Sequence, residues 1–266
     1  MTDLRDPASQ LLAQFGEQHV VAFFLVLARL SPLFILAPLF SSKMIPARVR
    51  GIVAVALAIG LSPVVARHAE LPTDIVQLVS LLAKELLIGA AFAFALGALF
   101  AAISVAGSFL DTLIGFSFGG LVDPINGNQS AVVSQVYSMV GVLVFIVIGG
   151  DGWVIQGLAK TYDVVGLLEY PSLARIVNGA GEAFVGIFSA AVQVAGPVVL
   201  ALILTDAAFG VVSRVVPQLN VFSVALPAKV VVGFLLIGAT LPFVAAWLGS
   251  ELQRDVGQAL QTLKVG

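Results

Sequence analysis

Residues 84–111 read KELLIGAAFAFALGALFAAISVAGSFLD. Between the charged pair Lys84-Glu85 and Asp111 lie 25 residues without a charge, and about 20 helical residues cross a hydrocarbon core of about 30 Å. The stretch is therefore long enough to span a bilayer as one helix. Small residues recur at every fourth position, Gly89, Ala93, Gly97 and Ala101, which lays them along one side of that helix, where another backbone can approach closely. The stripe can serve packing inside the chain or against a second chain.

Working outward, residues 51–66, 124–150, 183–205 and 230–250 are also free of charge, in runs of 16, 27, 23 and 21 residues. Residues 20–42 are apolar except for Arg29. Charged residues make up 11% of the 266, against about 25% in soluble domains, and hydrophobic ones 59%. The fold expected is an all-α membrane protein of about six hydrophobic helices paired as hairpins. Pro32, Pro38, Pro63, Pro197 and Pro242 fall in or at the ends of the apolar runs. A proline removes a backbone bond and kinks its helix, which lipid tolerates only where neighbouring groups satisfy the freed carbonyl, so closely packed protein neighbours are expected.

Several functions are excluded by what is missing. Thirteen Lys and Arg against fifteen Asp and Glu give a net charge of -2, without the basic excess a nucleic-acid surface needs. With no cysteine there is no disulfide, thiolate nucleophile or cysteine-ligated metal. His19 and His68 have no second ligand at metal spacing, and neither a Walker A loop, a dinucleotide turn nor a GxSxG elbow occurs. Neither an enzyme nor a cofactor is expected. The start, MTDLRDPASQ, places acids beside Arg5 and reaches its first apolar run only at Val20, unlike a cleaved signal. If six spans alternate, Lys and Arg divide seven against five between the two sides, which assigns no orientation. No repeat or linker divides residues 1–266, so one membrane domain is expected with a short amphipathic tail, residues 251–266. There Leu252, Val256, Leu260 and Leu263 recur at helical spacing, as a membrane-surface helix or a docking strip.

The polar residues at membrane depth are few. Arg29 needs a carboxylate, because a charge taken out of water costs several kcal/mol unless paired. Lys84-Glu85 reads as an interfacial pair at a helix start rather than a proton relay. Asp206 and Arg214 lie eight residues apart, about two turns on nearly one face, and Pro217 ends that helix. Asp206 and Arg214 are expected to hold the last hairpin, with each other or with Lys229 and Arg29. Residues 111–130, DTLIGFSFGGLVDPINGNQS, mix glycines with Phe116 and Phe118 before turns at Asp123-Pro124 and Asn126-Gly127. An interhelical turn needs few residues, so this one reads as a loop that occludes or lines something.

At these residues the chain resembles the FliR family of the flagellar type III export apparatus, whose injectisome relatives are called SctT. The matches run in order: Arg29 with Pro32 and Phe34; Pro46-Ala47-Arg48; residues 84–89, KELLIG; Gly107, Asp111 and Gly115-Phe116-Ser117; Asp123-Pro124 with Gly127 and Gln129; and the pattern from Asp206 through Arg214, Gln218, Asn220 and Phe222 to Lys229. Together they cover nearly the whole chain. The turn at residues 149–153, GGDGW, departs from the Asn-Gly-His type common in relatives.

The resemblance implies a subunit rather than an enzyme, assembling with FliP and FliQ homologues, beside FlhB and FlhA homologues, into an inner-membrane gate of the flagellar basal body that passes unfolded proteins. It implies that Gly115, Phe116, Ser117, Phe118, Gly119, Gly120 and Leu121 form a pore plug, with Asp123-Pro124 as its turn. Arg29, Arg48, Lys84, Glu85, Asp206, Arg214, Gln218, Asn220, Phe222 and Lys229 would then be buried polar or assembly residues. The rival readings are the equivalent injectisome subunit and, from another class, a small-solute transporter, which would need a midplane polar site between repeats.

Overall fold

The structure, a computed structural model, describes residues 7–37, 40, 45–65, 71–72, 74–116, 131–218 and 220–263. Among the described residues seven helices follow one another: α1 (Pro7–Leu36), α2 (Ala47–Val65), α3 (Ile75–Ile114), α4 (Val132–Val147), α5 (Gly150–Val164), α6 (Leu173–Val215) and α7 (Val221–Thr262). Among the described residues there is no strand, so the all-α expectation holds. Among the described residues five helices are long and apolar enough to cross a membrane, and α4 with α5, bent by 72° at a short break, meets the same measure only as a pair. The break falls at Ile148 and Gly149, where the N–H groups of both turn back onto the α4 carbonyls and Gly149 takes a φ of 69°. That left-handed conformation is open to glycine and ends a helix.

Helix starts and ends follow local chemistry. Asp74 accepts the Gln77 N–H at 3.2 Å and so caps α3. The pair Lys84-Glu85 consequently lies nearly three turns inside α3 and is buried, which corrects its reading as an interfacial pair at a helix start. α6 stops at Val215, just before Pro217, as expected. Pro32, Pro63, Pro197, Pro227 and Pro242 all lie inside helices.

The chain forms two compact units, each discontinuous in sequence. The first comprises residues 1–97, 152–181 and 255–266. Its core gathers Ala22, Leu25, Leu71, Leu81 and Leu167 in one cluster and Ile88, Val165, Ile176 and Leu263 in another. A Cβ on Gly89 would overlap the backbone carbonyl of Arg29, and one on Gly97 would meet that of Leu36 at 3.6 Å. The small-residue stripe of α3 thus receives α1 of the same chain. Of the stretch expected as an amphipathic tail, residues 251–263 are described. α7 continues to Thr262; Gly157 leaves room for Val256 and Gly179 for Thr262, and Leu263 is buried with Ile88, Val165 and Ile176.

The second unit comprises residues 98–151 and 182–254. Here Phe100 meets Phe145 edge-on at 5.3 Å, Gly141 takes the Ile103 side chain and Gly233 that of Ile114.

Helices α3, α6 and α7 have 40, 43 and 42 residues, about twice the length hydrocarbon requires. In the candidate spans 56% of the α3 window is buried, against 17%, 28% and 22% for α2, α6 and α7. Those three present most of their apolar residues outward, including Ile52, Ile59, Phe184, Phe188, Leu204 and Leu235. Surface of that kind requires lipid or protein cover.

Candidate functional site

In the first unit a polar layer interrupts the core. Arg29 lies on the same face of α1 as Ala22, Leu25, Val26 and Leu33, Glu85 lies on α3 between Leu81 and Ile88, and Thr161 follows Val154 and Leu158 on α5; all are buried. The Arg29 guanidinium donates from Nε and Nη2 to the two oxygens of Glu85, the second at 3.0 Å. Its Nη1 donates to Thr161 Oγ1 at 3.1 Å, and Nη2 also donates to the Val165 carbonyl at 3.0 Å. The Tyr162 ring lies 3.9 Å from the guanidinium carbon. Lys84 completes the layer, with Nζ 3.0 Å from Glu85 Oε1 and donating to the carbonyls of Gly166 and Leu167 at 3.2 and 2.5 Å. Two cations thus share one carboxylate, and backbone carbonyls that follow the end of α5 take up the remaining donors, as the negative end of a helix dipole favours. The expected carboxylate partner of Arg29 is Glu85.

In the second unit the decisive group is Asp111, 3% exposed in the last turn of α3. Its Oδ1 accepts the Val133 N–H at 2.8 Å and its Oδ2 the Ser134 N–H at 2.9 Å. Both are first-turn amides of α4, whose own N-cap position, Ala131, offers no side-chain acceptor. Close by, a Cβ on Gly107 would overlap Ser134 Cα, and Ser134 Oγ donates to the Ser104 carbonyl at 3.0 Å. Gly115 then turns the chain at a φ of 107°, and the Phe116 ring meets that of Phe234 on α7 at 6.0 Å.

Asp206 pairs with Lys229 at 2.8 Å, joining α6 to α7. Arg214 does not take that place, and Arg29 is engaged in the other unit. The Asp206 side chain is 49% exposed, so the pair lies on a surface of this chain and not in its interior. Arg48, Arg214, Gln218 and Asn220 are exposed as well. The Asn220 carbonyl accepts the Ser223 N–H at 3.1 Å at the start of α7. Of the expected plug, Gly115 and Phe116 are described; Ser117, Phe118, Gly119, Gly120, Leu121, Asp123 and Pro124 lie outside the described residues, as does the Phe222 side chain. Sequence reasoning missed Thr161, Tyr162 and the capping role of Asp111. The one available signal was an acid in a helix's last turn, the wrong sign for that end of the dipole. Among the described residues no group of three or more acids and histidines could hold a metal ion.

Comparison with known proteins agrees with the pattern of these residues. The family model described as bacterial export proteins, family 1, matches residues 20–254. The flagellar biosynthetic protein FliR of Bacillus subtilis is 32% identical over 220 residues, 81% of this chain and 84% of the relative. FliR of Escherichia coli is 28% identical over 228 residues, 84% of this chain and 85% of the relative. The surface presentation of antigens protein SpaR of Shigella flexneri is 29% identical over 227 residues, 84% and 87% of the two chains. A single match that runs from the middle of α1 to the last turns of α7, and so takes in Arg29, Glu85, Asp111, Asp206 and Lys229, places this chain among the bacterial export proteins, family 1, as a membrane protein of the FliR family.

Proposed function

We propose that the chain is a core subunit of the flagellar protein export gate. In this reading it assembles with FliP and FliQ homologues in the inner membrane at the flagellar basal body, with FlhB and FlhA homologues adjacent, and forms part of the pore for unfolded flagellar proteins. The observation that carries the reading is the family match over residues 20–254 with FliR at 32% identity. The fold supports it physically, because α2, α6 and α7 leave most of their apolar windows uncovered and two of them are far longer than a bilayer needs. The subunit acts as a conduit, with energy supplied by other components. Residues 115–121 plug the resting pore: the Phe116 and Phe118 rings fill an apolar constriction, and glycines let the segment move aside.

Affinity purification of the tagged chain from membranes, with FliP and FliQ homologues co-expressed, tests the assembly. A purified complex lacking either homologue would refute it. The similarity to SpaR at 29% identity favours one second reading, the equivalent subunit of an injectisome. Deleting the gene separates the two: loss of flagellar filament export supports the flagellar reading, and intact motility overturns it.

A further inference from the structure

We propose that α2 is the lipid-facing span of the first unit and that Arg48, at its start, binds the phosphate of an anionic phospholipid. The inference does not depend on the gate reading. α2 has 19 residues, about 28 Å at the helical rise, which matches a hydrocarbon core of about 30 Å. Of the five helices able to cross a membrane it is the least covered, with 17% of its window buried. It packs on α1 and buries a narrow seam, Ala54, Ala58 and Ser62, spaced four residues apart. Ile52, Val53, Val55, Ile59 and Val64 are exposed around the rest of its circumference.

Three observations select lipid over a protein as the occupant of that face. The first is fit: α6 and α7 are also poorly covered, but at 43 and 42 residues they outrun the hydrocarbon and carry the half-exposed Asp206–Lys229 pair, whereas α2 has the bilayer's length and Ser62 is its one polar residue after Arg50. The second is its backbone. A helix set in lipid has to satisfy its own polar groups, and Pro63 has no N–H to offer the Ile59 carbonyl one turn back. Ser62 Oγ donates to that carbonyl at 3.3 Å, so the gap is closed within α2 and needs no donor from a neighbouring chain. The third is charge at the end of the apolar run. Arg50 Nη1 donates to the Phe34 carbonyl in the last turn of α1, at 3.4 Å, but Arg48 is exposed and makes no ion pair among the described residues. A guanidinium at the end of a bilayer-length apolar helix lies at headgroup depth, where its planar fork of donors matches a phosphate and an anionic leaflet attracts it.

The test uses the full chain, purified from membranes with its bound partners and placed in nanodiscs of phosphatidylcholine and phosphatidylglycerol. Because the chain has no native cysteine, Ile52→Cys and Ile59→Cys each carry a single nitroxide, whose collisions with oxygen report lipid and with a water-soluble nickel complex report water. High oxygen and low nickel accessibility are expected at both positions. Low accessibility to both reagents would show that protein covers the face, and high nickel accessibility that water does; either result overturns the proposal. For the headgroup, the lipids retained by the protein are counted by native mass spectrometry. Retention of phosphatidylglycerol over phosphatidylcholine is expected to fall about five-fold in Arg48→Gln, the contribution of one arginine near an anionic surface, and to stay near the unmodified ratio in Arg48→Lys. The Arg48 side chain makes no contact that its loss would break, so the variant should fold, as an unchanged oxygen accessibility at position 59 would confirm. An unchanged lipid ratio in Arg48→Gln overturns the headgroup site.

Discussion

Removing Glu85 should harm the protein more than removing Arg29, although the two form one ion pair. The polar layer of the first unit holds Arg29, Lys84 and Glu85, at 0%, 5% and 0% exposure. In Glu85→Gln two buried cations face one another, and a single amide oxygen replaces the carboxylate that accepted from both. Breaking one partner of a buried pair costs about 3–5 kcal/mol, and the second cation puts this case at the upper end. In Arg29→Met, Lys84 and Glu85 remain as a balanced pair 3.0 Å apart, and the methionine fills much of the vacated volume. The loss is then that of hydrogen bonds to charged groups, about 1.5–3 kcal/mol. The two variants should differ by about 2 kcal/mol, a factor of about 30 in the unfolding equilibrium. The assay is denaturant unfolding of the chain in detergent, followed by fluorescence of its two tryptophans, with Arg29→Met/Glu85→Gln closing the cycle. Equal loss in the two single variants, or a larger one in Arg29→Met, would refute this reading of the charge balance.

Gly89→Ala should lower the melting temperature, since its Cβ would overlap the Arg29 carbonyl and overpacking costs about 1–3 kcal/mol. Gly186→Ala, with open space around it, should be neutral or stabilising. Asp206→Ala should cost the isolated chain no more than about 1 kcal/mol, because the pair with Lys229 is half exposed, yet reduce the yield of assembled complex; an unchanged yield would place that surface outside any interface. Leu263→Ala should destabilise the first unit by about 2–5 kcal/mol, as limited proteolysis of the last turns of α7 would report. Full protection would show that Leu263 contributes nothing to the Ile88 and Val165 cluster.

What the sequence discloses here depends on whether the controlling contact is local. Span number, the end of α6 at Pro217 and the need of Arg29 for a carboxylate all follow from length, ring chemistry and desolvation. The position of Lys84-Glu85 is not legible because a charged pair suggests a helix boundary, while the boundary itself is set ten residues before Lys84 by Asp74, which caps α3 through the Gln77 N–H. Asp206 has two cations at plausible spacing, and only the approach of α7 selects Lys229 over Arg214. The amphipathic stripe of residues 252–263 has the same periodicity whether it meets a membrane surface, a partner or its own chain. Gly157 and Gly179 decide that question, and nothing in a single sequence connects them to α7.

The same contacts explain why so few charges lie at membrane depth and why they lie where they do. Buried ionisable groups in a membrane protein usually mark an ion path, but these have their hydrogen-bonding capacity committed to backbone and to one another. A break between two apolar helices leaves ends that lipid cannot satisfy. The N-terminal amides of α4 receive the Asp111 carboxylate, the carbonyls beyond α5 receive Arg29 and Lys84, and the break itself is closed by the amides of Ile148 and Gly149. An anion sits at the positive end and cations at the negative end, as the helix dipole requires. Lys84 spends all three of its donors in this way and Asp111 both of its oxygens. A transporter's charges must exchange partners as the ion moves, whereas these are fixed by the termini they complete. Their substitution should therefore appear first as defects of folding, assembly or sealing, and an altered ion coupling with normal assembly would overturn the assignment.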